Sequence, residues 1–341
     1  MTTTIKDIAR LTGVSHSTVS RALQGSSLIS AETRTRIQQV ATELGYQPSA
    51  AARSLKTRRS QVLGVILSSL DDPFFSEILQ GIEDTAREAG YSLFIAASHR
   101  DNQRSQKIVQ ALLEHRAEGV IICSTTFSAE QGQKLLDGGF PVVVVNNQTV
   151  ENFRYAIYHD DLDGCRQLTR HLVSLGHRHI AFLGDSLSGR TSEERLRGYQ
   201  LEMEAAGLPI LDGFIHSVSG GGPENGISAL NHFLDLYTRP TAIVCFNDMQ
   251  AIGLLKGLQL AGLDVPGDVS ITGFDNILFS TYTNPPLTTF DQPKRYIGIE
   301  ATRLLLNLLG PTGEISPAEP VVKVLKGRLL VRKTTAPPPV L

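Results

Sequence analysis

The stretch Ile5-Lys-Asp-Ile-Ala-Arg-Leu-Thr-Gly-Val-Ser-His-Ser-Thr-Val-Ser-Arg-Ala-Leu23 decides how this 341-residue chain begins to fold. Ile5, Ile8 and Ala9 recur at the i, i+3, i+4 spacing of a buried helical stripe, and Thr4 is placed to cap it. Gly13 then supplies the backbone freedom of a tight turn. Ser15 caps a second helix running to Gln24, which buries Val19, Ala22 and Leu23 and turns Ser17, Arg21 and Gln24 outward. Gly25 ends it, and Ser30 caps a third helix over residues 31–44, with Ile37, Val40, Ala41 and Leu44 on one side. Two short helices joined by a glycine turn, with a third behind, predict a helix-turn-helix. The alternative is a three-helix bundle serving protein contacts.

In a helix-turn-helix the second helix enters the major groove by its N-terminus. His16, Ser17 and Arg21 then reach base edges, because arginine can grip guanine through two hydrogen bonds while serine and histidine make shorter contacts. Thr4, Ser15, Thr18 and Ser30 suit phosphate contacts or helix caps. Charge agrees with a nucleic-acid partner. Residues 1–60 hold nine Lys or Arg against three Asp or Glu, a net of +6, while the whole chain is −2 and the remainder therefore −8. The next segment, Tyr46-Gln-Pro-Ser-Ala-Ala-Ala-Arg-Ser-Leu-Lys56, has helix-forming alanines but is too short to hold a helix alone. It is expected to fold only when paired on DNA, with Leu55 as a wedge between minor-groove base steps and Arg53 and Lys56 on phosphates. A flexible linker is the alternative.

These residues, together with Glu32-Thr-Arg, Glu43-Leu-Gly-Tyr-Gln-Pro48 and Ala52-Arg-Ser-Leu-Lys56, closely resemble the DNA-binding head of the lactose/galactose repressor family of bacterial transcription regulators. The resemblance implies a regulator, in most members a repressor, that binds a palindromic operator in double-stranded DNA as a homodimer. It also implies a body of two Rossmann-like lobes, similar to the periplasmic binding proteins, that takes a small polar effector.

From Gln61 onward, short apolar runs alternate with amphipathic segments, a βαβ succession that predicts an α/β body. Expected strands cover residues 62–67, 92–97, 119–122, 141–145, 179–183, 241–245 and 269–272. A break near 146–155 suggests a second lobe starting with a strand at 155–159 and extending to about 285; a helix at 294–308 and a strand pair near 321–331 follow. The expected organisation is a head at 1–47, a hinge helix and linker at 48–60, an effector-binding and dimerisation body at 61–333, and a disordered proline-rich tail at 334–341. Open α/β sheets bind ligands past the carboxyl ends of their strands. That rule selects Asp72 and Phe74 after the first strand, Asn146 after the fourth, Asn247 and Asp248 in Phe246-Asn-Asp248, and Asp275 in Gly273-Phe-Asp-Asn276. Carboxylates and amides there suit adjacent hydroxyls of a sugar or sugar derivative, with a nucleoside or purine as the alternative. Asp248 and Asp275 could instead be helix caps, and one of Phe74 and Phe75 is expected to be plain core. Gln292 falls in the connection back between lobes, contacting ligand or bracing the hinge. Arg195, within Glu193-Glu-Arg-Leu-Arg-Gly-Tyr199, stands where the resemblance places a ligand-clamping arginine, though Arg190 and Arg197 are close by.

Other classes find little support. No Gly-x-Gly-x-x-Gly opens a helix after a strand, and Gly220-Gly-Gly222 before Pro223 is a weak anion signal alone. His177-Arg-His179 has no third ligand nearby and reads as a surface turn, and no nucleophile elbow frames a serine. The expectation is a non-enzyme without cofactor or metal. Cys123, Cys165 and Cys245 have no paired spacing; no run reaches the ~18 apolar residues of a membrane span, and no secretory leader is read. A cytoplasmic protein is expected, and a secreted solute-binding protein is the alternative.

Overall fold

Runs such as Val62-Leu-Gly-Val-Ile-Leu67 are apolar on both faces, the pattern of a parallel strand covered by helices on either side. In the computed structural model, which describes residues 3–23, 25–46, 59–124, 127–147, 153–310 and 319–339, such runs form the strands of a second unit, Gln61–Leu341, distinct from a first, Met1–Ser60.

The first unit packs α1 (Ile5–Thr12), α2 (His16–Leu23) and α3 (Ala31–Glu43) around buried Ile8, Val19, Ala22, Ile37 and Ala41. Gly13 makes the turn between the first two helices with a left-handed φ of 67°. Arg36 on α3 donates from Nη2 to the Thr12 carbonyl at 2.6 Å, tying the third helix to that turn.

The second unit begins β1 (Val62–Leu67), α4 (Phe74–Glu88), β2 (Ser92–Ala97), α5 (Asn102–Glu114), β3 (Gly119–Cys123), α6 (Ala129–Asp137), β4 (Val142–Val145) and β5 (Tyr155–His159). It continues α7 (Asp161–Ser174), β6 (Ile180–Asp185), α8 (Gly189–Ala205), β7 (Ile215–Val218), α9 (Pro223–Leu234), β8 (Ala242–Cys245), α10 (Asp248–Leu260) and β9 (Ser270–Thr272). A 3₁₀ turn (Leu278–Thr281), β10 (Thr289–Asp291), α11 (Lys294–Leu309), β11 (Val321–Leu325) and β12 (Arg328–Leu330) complete it. One lobe is built on a parallel sheet in the order β11-β5-β4-β3-β1-β2, the other on β7-β6-β8-β9 with the antiparallel pair β10-β12 beside it.

Four expectations are corrected here. The strand at 155–159 does not open the second lobe; it pairs with β4 through Val144↔Ala156 and Val145↔Ile157 and so extends the first sheet. The expected pair near 321–331 is no pair: β11 joins β5 in the first lobe, and β12 joins β10 in the second. An apolar run states that a strand is buried, not which sheet buries it. The chain therefore crosses between lobes three times, between β5 and α7, between β10 and α11, and between β11 and β12. In the first lobe α4 and α11 touch backbone to backbone. A Cβ on Gly81 would lie 2.1 Å from the Arg295 carbonyl, and one on Gly298 would lie 2.1 Å from that of Ile78.

The third correction concerns residues 334–339, which are not a loose tail. Thr334 is fully buried; its hydroxyl donates to the Ile271 carbonyl at 2.7 Å and accepts from the Thr288 N–H at 2.9 Å. Its carbonyl accepts from the Ile271 N–H at 2.8 Å, and Ala336 N donates to Ser270 Oγ at 3.1 Å. His177, read as part of a surface turn, is likewise buried, with Nε2 2.8 Å from the Ala336 carbonyl. Thr334→Val keeps the shape and leaves the Thr288 N–H without its acceptor. It should lower unfolding stability by about 1–3 kcal/mol in urea titrations, and an unchanged midpoint would show that this strap contributes nothing.

Candidate functional site

In the first unit, His16, Ser17 and Arg21 are exposed on α2, the first two at its N-terminus and the third one turn on. Ser15 Oγ accepts from Thr18 N at 3.1 Å and bonds Thr18 Oγ1 at 2.9 Å, so it caps α2. Ser30 Oγ caps α3 by accepting from Thr33 N at 3.3 Å. Thr4 caps α1 through Asp7, whose Oδ2 accepts from Thr4 N at 3.0 Å and from Thr4 Oγ1 at 2.7 Å. Arg53, Leu55 and Lys56 lie outside the described residues.

In the second unit, segments past strand ends of both lobes enclose a cavity of about 530 Å³, within the ~300–1,000 Å³ usual for small-molecule sites. Ser68, Asp72, Phe74, Phe75, Arg100 and His159 come from the first lobe; Arg195, Gly221, Phe246, Asn247 and Asp275 come from the second. The cavity holds Asp72, Phe74, Arg195, Asn247 and Asp275 of the residues selected from sequence, and both Phe74 and Phe75 serve core and wall together.

Arg195 organises the site. It is 3% exposed, whereas Arg190 stacks on Tyr158 and pairs with Glu194, and Arg197 faces outward. Its Nε donates to Asp161 Oδ1 at 2.7 Å, Nη2 to Asp275 Oδ1 at 3.4 Å, and Nη1 to the Phe246 carbonyl. Its Cζ lies 3.7 Å from the Phe274 ring centroid and 4.5 Å from that of Phe246. A guanidinium has five N–H groups, and these bonds use three of them. Asp161, in turn, is 3.1 Å from His159 Nδ1. Burial pushes the Asp161 carboxyl upward, but His159 and Arg195 outweigh it and hold the group below its usual range.

Asp275 combines strain with burial. Its φ of 113° is left-handed for a residue with a side chain, a conformation costing of order 1–3 kcal/mol that persists only when its surroundings impose it. Its N–H donates to the Phe290 carbonyl at 2.9 Å, and its carbonyl accepts from Lys294 Nζ at 2.5 Å. Burial drives its carboxyl well above the usual range despite Arg195. Oδ1 also accepts from Gln292 Nε2 at 2.5 Å. Asp72 Oδ1 accepts from Phe74 N at 3.0 Å, and Asn247 Oδ1 from Gln250 N at 2.8 Å, each at a helix start. Asn247 Nδ2 lies beside Gly221, where any Cβ would come within 2.7 Å of it.

Asn146, Asp248 and Gln292 are corrected: none lines the cavity. Asn146 Oδ1 accepts from His159 N at 3.1 Å, joining the ends of β4 and β5. Asp248 is fully buried, with Oδ2 accepting from Ile277 N at 2.8 Å and Oδ1 from Thr289 Oγ1 at 2.5 Å. Gln292 supports Asp275 from behind. Each stands at a strand end, but which way a side chain turns there follows from its neighbours. Missed by the sequence reading were Asp161, His159, Arg100, Phe246 and Lys294. Only Phe246, directly before Asn247 at a strand tip, carried a readable signal.

Residues 4–49 match the family described as "Bacterial regulatory proteins, lacI family". Residues 60–322 match "Periplasmic binding proteins and sugar binding domain of LacI family". The chain belongs to the LacI family. Among its relatives, the HTH-type transcriptional repressor PurR of Actinobacillus pleuropneumoniae serotype 3 is 33% identical over 303 residues, 89% of this chain and 90% of the relative. The lac repressor dimer bound to operator and the anti-inducer ONPF superposes with a TM-score of 0.87 at 28% identity, covering 98% of this chain and all of that one. A complex of the transcriptional regulator CelR with cellobiose gives 0.73 at 27% identity, covering 97% and 99%. As a LacI-family protein the chain is a transcription regulator, not an enzyme. Among the described residues no helix is long and apolar enough to cross a membrane.

Asp248 also gives this LacI-family body a pH dependence. Burial pushes its carboxyl up to about 7, against the hydrogen bonds from Thr289 and Ile277, from an ordinary value of 3.8. The folded state keeps the proton while the unfolded chain sheds it, so this contribution to stability is full below the ordinary value and is lost as pH rises through about 7. Asp248→Asn mimics the neutral form. It should raise the thermal midpoint relative to wild type at pH 8, with the gap closing toward pH 5; a gap independent of pH would contradict this assignment.

Proposed function

We propose that this regulator represses transcription as a homodimer on a palindromic operator, and that a neutral polyhydroxylated effector, a sugar or sugar derivative, binds in the 530 Å³ cavity of its body. The observation that carries the effector class is the convergence of Asp72, Asp275, Arg195 and Asn247 on one space. A hydroxyl both donates and accepts; carboxylates take its hydrogen while arginine and amide N–H groups reach its oxygen. Phe74 and Phe246 supply apolar faces for a sugar ring. The same rings would also stack a flat nucleobase, and the PurR name of relatives makes that the second reading. A thermal-shift panel of monosaccharides, disaccharides, nucleobases and nucleosides separates the two, since a ligand at 100 times its Kd adds about 2.7 kcal/mol. A sugar is expected to raise the midpoint of the wild type and to lose that effect in Asp275→Asn. A response to nucleobases alone would overturn the sugar reading.

Pairing through the body is supported by Leu278, Phe279 and Tyr282, apolar side chains left 67%, 53% and 77% exposed on one short turn and its end. One recognition helix reads only a few base pairs, so a palindrome needs two. Effector binding changes how the lobes close, and ~1–3 kcal/mol of coupling suffices for a roughly 5- to 150-fold change in operator affinity. The cytoplasm is its proposed site of action, in keeping with three buried free cysteines. In selection from random duplex DNA, the full chain should enrich palindromes. Arg21→Ala should lose about 1–3 kcal/mol on those sites and relax the preference at one base pair per half-site; an unaltered consensus would remove Arg21 from base reading.

A further inference from the structure

At the cavity an ion pair joins the two lobes without any covalent crossing. Arg100 follows β2 in the first lobe, and Asp185 ends β6 in the second; Arg100 Nη1 donates to Asp185 Oδ2 at 3.2 Å. Asp185 is fully buried, and its own lobe already supplies three donors: Leu187 N at 2.9 Å, Gly220 N at 2.8 Å and Ser188 Oγ at 2.5 Å. These orient the carboxylate but bring no positive charge, and Arg100 supplies one from across the cleft. The turn that presents Arg100 is strained, with His99 at φ 51° and Arg100 at φ 60°, both left-handed without glycine. That turn is pinned to the end of β1, where Ser98 N donates to the Leu67 carbonyl and His99 N to that of Ser68. Exposed ion pairs contribute little, but here one partner is removed from water and the other lines the cavity.

We propose that Arg100 and Asp185 form a latch across the cleft, that the body without effector rests closed because of it, and that the pair must part for an effector to enter. Arg100 is then a positioning residue for effector capture, acting through Asp185.

The full chain offers a direct test by electron-resonance distance measurement, with spin labels on Gln103→Cys and Ser228→Cys, exposed sites on α5 and α9 of opposite lobes. The native cysteines are buried. Without any effector, Arg100→Gln is expected to move the label separation to longer distance and broaden it. Asp185→Asn, whose amide oxygen can still accept from the neighbouring N–H groups, should do the same, while Arg100→Lys should stay close to wild type. A distribution for Arg100→Gln that superposes on wild type overturns the latch. So does an Arg100→Lys shift as large as that of Arg100→Gln, because charge would then not be what holds the lobes.

Discussion

A guanidinium taken out of water costs several kcal/mol unless every direction around it is answered, and the body of this protein is arranged to answer one. Arg195 projects from α8 and receives Asp161 from just past the first lobe crossing, the Phe246 carbonyl from the tip of β8, and Asp275 from beyond β9. Phe246 and Phe274 cover it with their rings. A single side chain thus touches three segments distant in the chain.

The hinge shares that economy. Lys294 is 1% exposed at the start of α11, where the chain has just returned to the first lobe, and its ammonium group bonds the carbonyls of Asp275 and Asn276 in the second. Glu77 on α4 lies 3.3 Å away from it. The carbonyl contacts hold Asp275 in its left-handed backbone, so the geometry of the cavity carboxylate depends on a cation carried by the opposite lobe. The shape of the site is therefore set by contacts from both lobes.

The helical head follows a different logic. Among the described residues its core is five buried side chains with partly buried neighbours, and its helix ends are closed by Thr4, Ser15 and Ser30 over one or two turns of sequence. Much of what shapes it is local, and His16, Ser17 and Arg21 stand exposed on the outer face of α2.

Local determination is also what made the head legible. Spacing of Ile8, Val19, Ala22, Ile37 and Ala41, the glycine at 13 and the capping hydroxyls prescribe three helices without any distant contact. In the body, the same kind of reading identified most strands and helices and placed Asp72, Asn247 and Asp275 at strand ends. It stopped where long-range pairing begins. Whether Tyr155–His159 continues one sheet or opens another is a matter of hydrogen bonds to β4 and β11, and the fate of the last residues depends on Ser270 and Ile271 some sixty positions earlier. The turning of Asp248 and Asn146 away from the cavity, and the meeting of Asp161, Arg195 and Asp275, were likewise decided by tertiary packing alone. Periodicity records which faces are buried, while the choice of partner arises only when segments distant in the chain compete for the same buried space.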